Sequence, residues 1–193
     1  VTWPECQAWM SAQCGQPPYG WSPGADRYAE ILWVLCEALA VTNVLEIGIG
    51  PTCMSGMVAA HSMHNRGGGH LLSFDIDPSR PEAIYRERAK DLRTDWVQVY
   101  GDSLAMLSEL TLDRSYDLVY VDGDHDELHA YTDTVNAVNH LRPGGYLLID
   151  DYPGCQGVTD AATRLRAEGF TFVHVPHDLA PSWNGRLLWQ KPS

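Results

Sequence analysis

Acidic side chains recur where the apolar runs of this 193-residue chain end. Glu46 lies in NVLEIGIG, Asp75 closes HLLSFD, Asp102 stands in GDS after WVQVY, and Asp122 follows YDLVYV. Gly48 and Gly50 come directly after the first of these acids. Glycines so placed permit a tight turn and let a ligand approach the backbone where a Cβ would collide. A row of carboxylates with few basic residues suits a cationic ligand rich in hydroxyls and amines. A nicotinamide dinucleotide is served less well, because it brings an anionic pyrophosphate and its fingerprint has a third glycine, where this chain has Cys53.

A second acidic group invites metal chemistry. Asp122 ends one predicted strand, and Asp150 and Asp151 end the next. Neighbouring strands lie about 4.8 Å apart, so these carboxylates would converge at one rim and raise one another's pKa. A hard divalent cation such as Mg²⁺ would relieve that conflict through all-oxygen ligation. The competing reading is that Asp150 and Asp151 open a loop and face solvent. His125 and His129 stand four residues apart in HDELH, but the order is not that of the HExxH protease motif. His129 is read as a helix-surface residue.

These side chains need elements to position them. Val44, Leu45 and Ile47 fit a strand buried on both faces, and 53–64 fits the helix that follows the glycine turn. Further strands are predicted at 70–74, 96–100, 116–121, 146–149, 170–175 and 186–190, with helices at 26–40, 81–93, 104–110, 127–141 and 158–168. Asp26 is a candidate cap of the first of these helices and Ser103 of the third. Such alternation predicts an α/β fold, a doubly wound Rossmann-like seven-stranded sheet with right-handed crossovers and an antiparallel last strand. Residues 1–25, rich in Trp, Pro and Gly, read as a separate arm ahead of a 26–193 domain. Trp3, Trp9, Tyr19 and Trp21 could form a packing patch or a flap over the site.

Composition narrows the partners. A formal net charge of −12 with no basic run argues against nucleic acid and anionic membranes. No apolar stretch reaches the roughly 20 residues of a bilayer span. The N-terminus lacks the form of a signal peptide, and five cysteines without a CxxC pair predict reduced thiols in a cytoplasmic protein rather than a zinc site. A Cys6–Cys14 disulfide is the alternative. A homodimer through the arm is a further expectation.

From about Asp26 onward the chain resembles the class I S-adenosylmethionine-dependent methyltransferases. The resemblance implies that Glu46, Gly48 and Gly50 pass under the methionine and ribose, with Thr52 in place of a frequent third glycine and Ser55 near the methionine carboxylate. It implies Asp75 as the ribose acid, with Ile76 beside it, and Asp102 with Ser103 at the adenine. VYVDGDH followed by LRPGGYLLIDDY is similar to cation-dependent O-methyltransferases of the catechol and caffeoyl-CoA type, and to small bacterial methyltransferases with a DGDH…LRPGG…DDY signature. This implies Mg²⁺ on Asp122, Asp150 and Asp151, and His125 where the catechol enzymes have a lysine base. An imidazole, with an ordinary pKa near 6.5, can accept a proton at neutral pH. The expected activity is methyl transfer to a hydroxyl of a small molecule offering one or two oxygens to the cation. Rival readings are a metal-independent methyltransferase acting on nitrogen or a carboxylate, a NAD-dependent oxidoreductase, and a non-enzymatic module that binds S-adenosylhomocysteine.

Overall fold

A computed structural model describes residues 2–14, 23–50, 53–77, 89–109, 115–176 and 185–193. In chain order these form α1 (Trp3–Cys14), α2 (Pro23–Ala38), β1 (Asn43–Ile47), α3 (Met54–Asn65), β2 (Gly69–Asp75), β3 (Thr94–Tyr100) and α4 (Ser103–Glu109). There follow β4 (Tyr116–Val121), α5 (Glu127–His140), β5 (Leu141–Tyr152), α6 (Gln156–Ala167), β6 (Val173–Val175) and β7 (Gly185–Gln190). The seven strands make one sheet in the order β3-β2-β1-β4-β5-β7-β6. All pairings are parallel except those of β7, which runs antiparallel to β5 and β6. The doubly wound sheet and its antiparallel last strand are therefore as the sequence predicts.

Alternation along β1 divides the core. Val44 belongs to an apolar cluster with residues of α1, α2 and α3, whereas Leu45 and Ile47 join one with α4, α5 and α6. The chain runs from β1 outward to β2 and β3, then returns to β4 on the other side of β1. Such a reversal leaves a crevice beyond the carboxyl ends of the two central strands. Their ends are tied together there, since the Asp122 amide donates to the Ile47 carbonyl at 2.8 Å.

Several boundaries move. α2 begins at Pro23, the first-turn position at which proline's missing N–H costs nothing. Asp26 then lies inside the helix rather than capping it, and the expected boundary between residues 25 and 26 falls within α2. Part of the arm packs against the domain: Cys6 is a fully buried free thiol, not half of a disulfide, and Trp9 stacks on His61 of α3 at 4.4 Å. Tyr19 and Trp21 lie outside the described residues, as does most of the expected helix 81–93. β5 is longer than predicted because Leu141 pairs with Tyr116 before a shift of register. β6 is shorter because Phe170 and Phe172, partly buried, pack against the core as stacked rings instead of joining the sheet.

Glu46 departs most from expectation. Only 1% exposed, it sits on the α3 side of β1 and accepts the hydroxyls of Ser55 and Ser73, each at 2.5 Å. Ser73 in turn accepts the Trp96 indole N–H at 2.9 Å. Gly56 makes room for this network: a Cβ there would lie 2.4 Å from the Trp96 ring. Burial raises the Glu46 carboxyl from its ordinary 4.5 to about 7, against the two serine hydroxyls and with help from the charge of Asp75.

A raised carboxyl pKa means the native state binds the extra proton between pH 4.5 and 7. The associated stability, about 3 kcal/mol, is present below that window and lost as pH rises through it. The unfolding temperature of Glu46→Gln should therefore gain on that of the parent from pH 5 to pH 8, and parallel curves would refute the assignment. At Gly48, φ is +90° and a Cβ would lie 1.8 Å from the Asp122 carbonyl oxygen. Gly48→Ala should lower the unfolding temperature by on the order of 10 °C, read by calorimetry.

Candidate active site

The crevice is a cleft of about 350 Å³, within the range of small-ligand sites. Eight residues singled out in the sequence meet on its walls: Gly48, Gly50, Asp75, Ile76, Asp102, Ser103, Asp122 and His125. Ile47, Phe74, Gly101, Gly123, Asp124 and His129 complete the lining. His129, on the partly exposed face of its helix, pairs with Asp126 and also borders the cleft.

Asp75 holds the glycine turn. Its Oδ2 accepts the amides of Ile49 and Gly50 at 3.0 and 3.1 Å, and its Oδ1 accepts that of Asp77 at 2.9 Å. A carboxylate has about four acceptor positions, so one on Oδ1 is left for a ligand hydroxyl. Ile76, 70% exposed, presents an apolar side chain beside it. The sequence assigned Gly48's missing side chain to ligand approach. The structure shows the nearer constraint to be the backbone of Asp122.

Asp102, not Ser103, caps α4: its Oδ1 accepts the Leu104 amide at 2.9 Å. The side chain is exposed at the cleft, which leaves Oδ2 to face a ligand. The Ser103 hydroxyl instead bonds Asp133 of α5, whose carboxyl burial pushes up to about 6. Glu46 and Ser55, expected at the cofactor, are absent from the cleft lining, because each satisfies the other inside the core. Thr52 lies outside the described residues.

The expected metal trio is not assembled. Asp150 is 3% exposed and already engaged. Its Oδ2 lies 2.5 Å from the Tyr120 hydroxyl and 3.3 Å from Arg186 Nη2, and its Oδ1 accepts the Asp151 amide at 2.8 Å. The same Tyr120 hydroxyl is 3.1 Å from Asp122 Oδ2, so one phenol bridges the two strand-end acids. Asp151, at φ +59°, carries its carboxylate elsewhere: Oδ2 lies 2.7 Å from His125 Nε2. Burial and the charge of Asp150 raise the Asp151 carboxyl above the usual carboxylate range, against His125 and Arg186. Among the described residues, ligand atoms from Asp122, Asp150 and Asp151 do not gather within 4.8 Å of one another. The donors are chemically apt for Mg²⁺, but their placement does not fit it.

Tyr120 and Arg186 are the residues sequence reasoning missed. Tyr120 stands two positions before Asp122 and so on the same strand face. A buried tyrosine hydroxyl needs a partner. Arg186 immediately precedes the apolar run Leu187–Trp189 of the last strand, and a charged residue there is buried only when paired. Close packing of α6 fixes the His125 segment, since a Cβ on Gly157 would lie 2.3 Å from the His125 carbonyl.

Comparison with known proteins gives this cleft a context. A family described as "Methyltransferase domain" is matched over residues 45–152. A protein of Mycobacterium sp. (strain JLS), provisionally named an O-methyltransferase, is 30% identical over 132 residues, or 66% of this chain and 55% of that protein. The chain thus spans about half the length of that relative. A Klebsiella pneumoniae structure, also provisionally named an O-methyltransferase, superposes with a TM-score of 0.71 at 19% identity, covering 99% of this chain and 90% of its own. The O-methyltransferase TomG of Streptomyces achromogenes, involved in tomaymycin synthesis and solved in complex with SAM, gives a TM-score of 0.68 at 16% identity, covering 99% and 89%. The family match takes in β1, the glycine turn, Asp75, Asp102, Asp122, His125 and the Asp150–Asp151 pair, more than half of the chain, and the chain belongs to the methyltransferase-domain family.

Proposed function

We propose that this protein transfers the methyl group of S-adenosylmethionine to a hydroxyl of a small-molecule acceptor. The observation that carries the reading is the convergence, in one cleft, of a glycine turn held by Asp75, an exposed Asp102 and a histidine aligned by a carboxylate. Support for the cofactor comes also from the family match and from TomG, solved with SAM.

Asp75 Oδ1 would accept a ribose hydroxyl, Asp102 the adenine amine, and Ile76 would cover the ring. Gly48, Gly50 and Asp122 would border the methionine end, where carboxylates favour a positive sulfonium. S-adenosylmethionine, when bound, supplies an electrophilic methyl group.

The chain's own chemistry is proton removal. His125 Nε2 lies at hydrogen-bond distance from Asp151. Donation of Nε2–H to that carboxylate selects the tautomer whose Nδ1 is an acceptor. Nδ1 can then take the acceptor hydroxyl's proton as its oxygen attacks the methyl group in line. The products are the methyl ether, S-adenosylhomocysteine and a proton left on His125. Holding the two reactants at attack distance supplies much of the remaining acceleration. Magnesium enters no step, because Asp150 is already committed to Tyr120, Arg186 and the Asp151 amide.

Calorimetric titration should show S-adenosylmethionine and S-adenosylhomocysteine binding and NAD failing to bind. Asp75→Ala should weaken both at least tenfold, since it releases the Ile49 and Gly50 amides as well as the ribose acceptor. NAD binding in preference would end the methyltransferase reading. A screen of phenols, sugars and polyketide alcohols for S-adenosylhomocysteine release identifies the acceptor. With that acceptor, His125→Ala should lose about 10² to 10⁴ in kcat and keep its S-adenosylmethionine affinity. A variant at parental kcat would remove His125 from the chemistry.

A further inference from the structure

The orientation of the sheet's last strand puts a fixed positive charge where the family resemblance would put a metal ion. Parallel strands present their carboxyl ends at the cleft rim. An antiparallel neighbour presents its beginning there. β7 starts at that rim with Gly185, and Arg186 comes next, its strand paired with β5 through Ile149 and Leu187. The Arg186 side chain is 2% exposed and ion-paired with Asp150, itself 3% exposed.

A guanidinium cannot lose its charge in a protein, so this cation is permanent. Asp150 then carries three hydrogen-bonding partners, two on Oδ2 and one on Oδ1. Asp151 is turned to His125, and the Tyr120 hydroxyl stands between the carboxylates of Asp122 and Asp150. A divalent ion on the trio would have to break the Tyr120 contact and sit beside a guanidinium of like charge.

We propose that Arg186 permanently fills the role of a divalent cation at Asp150, so that this chain neither binds Mg²⁺ at Asp122, Asp150 and Asp151 nor needs a divalent metal for methyl transfer. The catalytic half of this inference rests on the proposed function. The metal-binding half does not.

The experiment therefore reads the metal first, with no acceptor present. EDTA-dialysed protein is titrated calorimetrically with MgCl₂ and MnCl₂, and its unfolding temperature is measured with and without each salt. The parent should give no saturable binding and no change in unfolding temperature. Arg186→Met should unfold at a lower temperature, having left Asp150 buried without its counter-charge, and should regain part of that loss on addition of Mg²⁺, because an ion bound only to the native state stabilises it. Arg186→Lys, which keeps a cation, should remain as indifferent to Mg²⁺ as the parent. Saturable Mg²⁺ binding to the parent that Asp150→Asn abolishes would overturn the proposal. So would an Arg186→Met protein that folds yet gains nothing from Mg²⁺. If that variant does not fold, the parent's titration and Arg186→Lys decide. With an acceptor in hand, parental turnover should be the same in EDTA as in Mg²⁺, Mn²⁺ or Zn²⁺, and a tenfold activation by any of them would overturn the catalytic half. Failure to bind S-adenosylmethionine would refute the function while leaving the metal result standing.

Discussion

Among the described glycines, Gly48 leaves the least room for a side chain, because it packs against the backbone of Asp122. The ends of the two central strands meet so tightly that a methyl group on Gly48 would overlap the Asp122 carbonyl. That contact fixes where the chain leaves β1 and where it leaves β4. Both sets of functional groups, the turn amides on one side and Asp122 to His125 on the other, take their positions from it. Asp75 completes the constraint by accepting two amides of the turn. The same carboxylate that shapes the cleft keeps one acceptor position for a ligand, so geometry and recognition are joined in one side chain.

A strongly acidic chain must also stop its carboxylates from repelling one another, and here each acid of the sheet has its own solution. Glu46 is buried, which raises its carboxyl to about 7, and two serine hydroxyls donate to it. Asp75 and Asp102 accept backbone amides. Asp122 and Asp150 flank a tyrosine hydroxyl, Asp150 adds a guanidinium, and Asp151 faces an imidazole. These are different electrostatic environments, and they separate structural acids from those that can meet a ligand. Asp102 and Asp122 remain at the cleft, whereas Glu46 and Asp150 are inside the protein.

The succession of strands and helices, the glycine turn and the positions of Asp75, Asp102, Asp122 and His125 were legible because they follow from local patterns. An apolar run ending in an acid marks a strand's carboxyl end, and all such ends in a parallel sheet share one edge. The roles of Glu46 and Ser55 were not legible. A strand residue can face either layer, and the partner that settles the matter, Ser73, belongs to another strand. Nor could spacing show that Asp151 turns toward His125, since this depends on a left-handed backbone at a non-glycine residue. Composition left the arm open between a packing patch and a flap, and only the contacts of Cys6 and Trp9 with the helices that follow favour packing for the part described.

Arg186 shows why a motif alone is an incomplete guide to chemistry. The acids of DGDH and DDY are local to β4 and β5, but what those acids can do depends on a residue that arrives more than thirty positions later on a strand running the other way. A small or apolar residue at position 186 would leave Asp150 with a buried charge that only an ion or a proton could balance. With arginine there, the balance is built into the chain and the same acids become a rigid wall. Reading an acidic signature as a metal site therefore requires the identity of the residue at the start of the antiparallel strand as well as the signature itself.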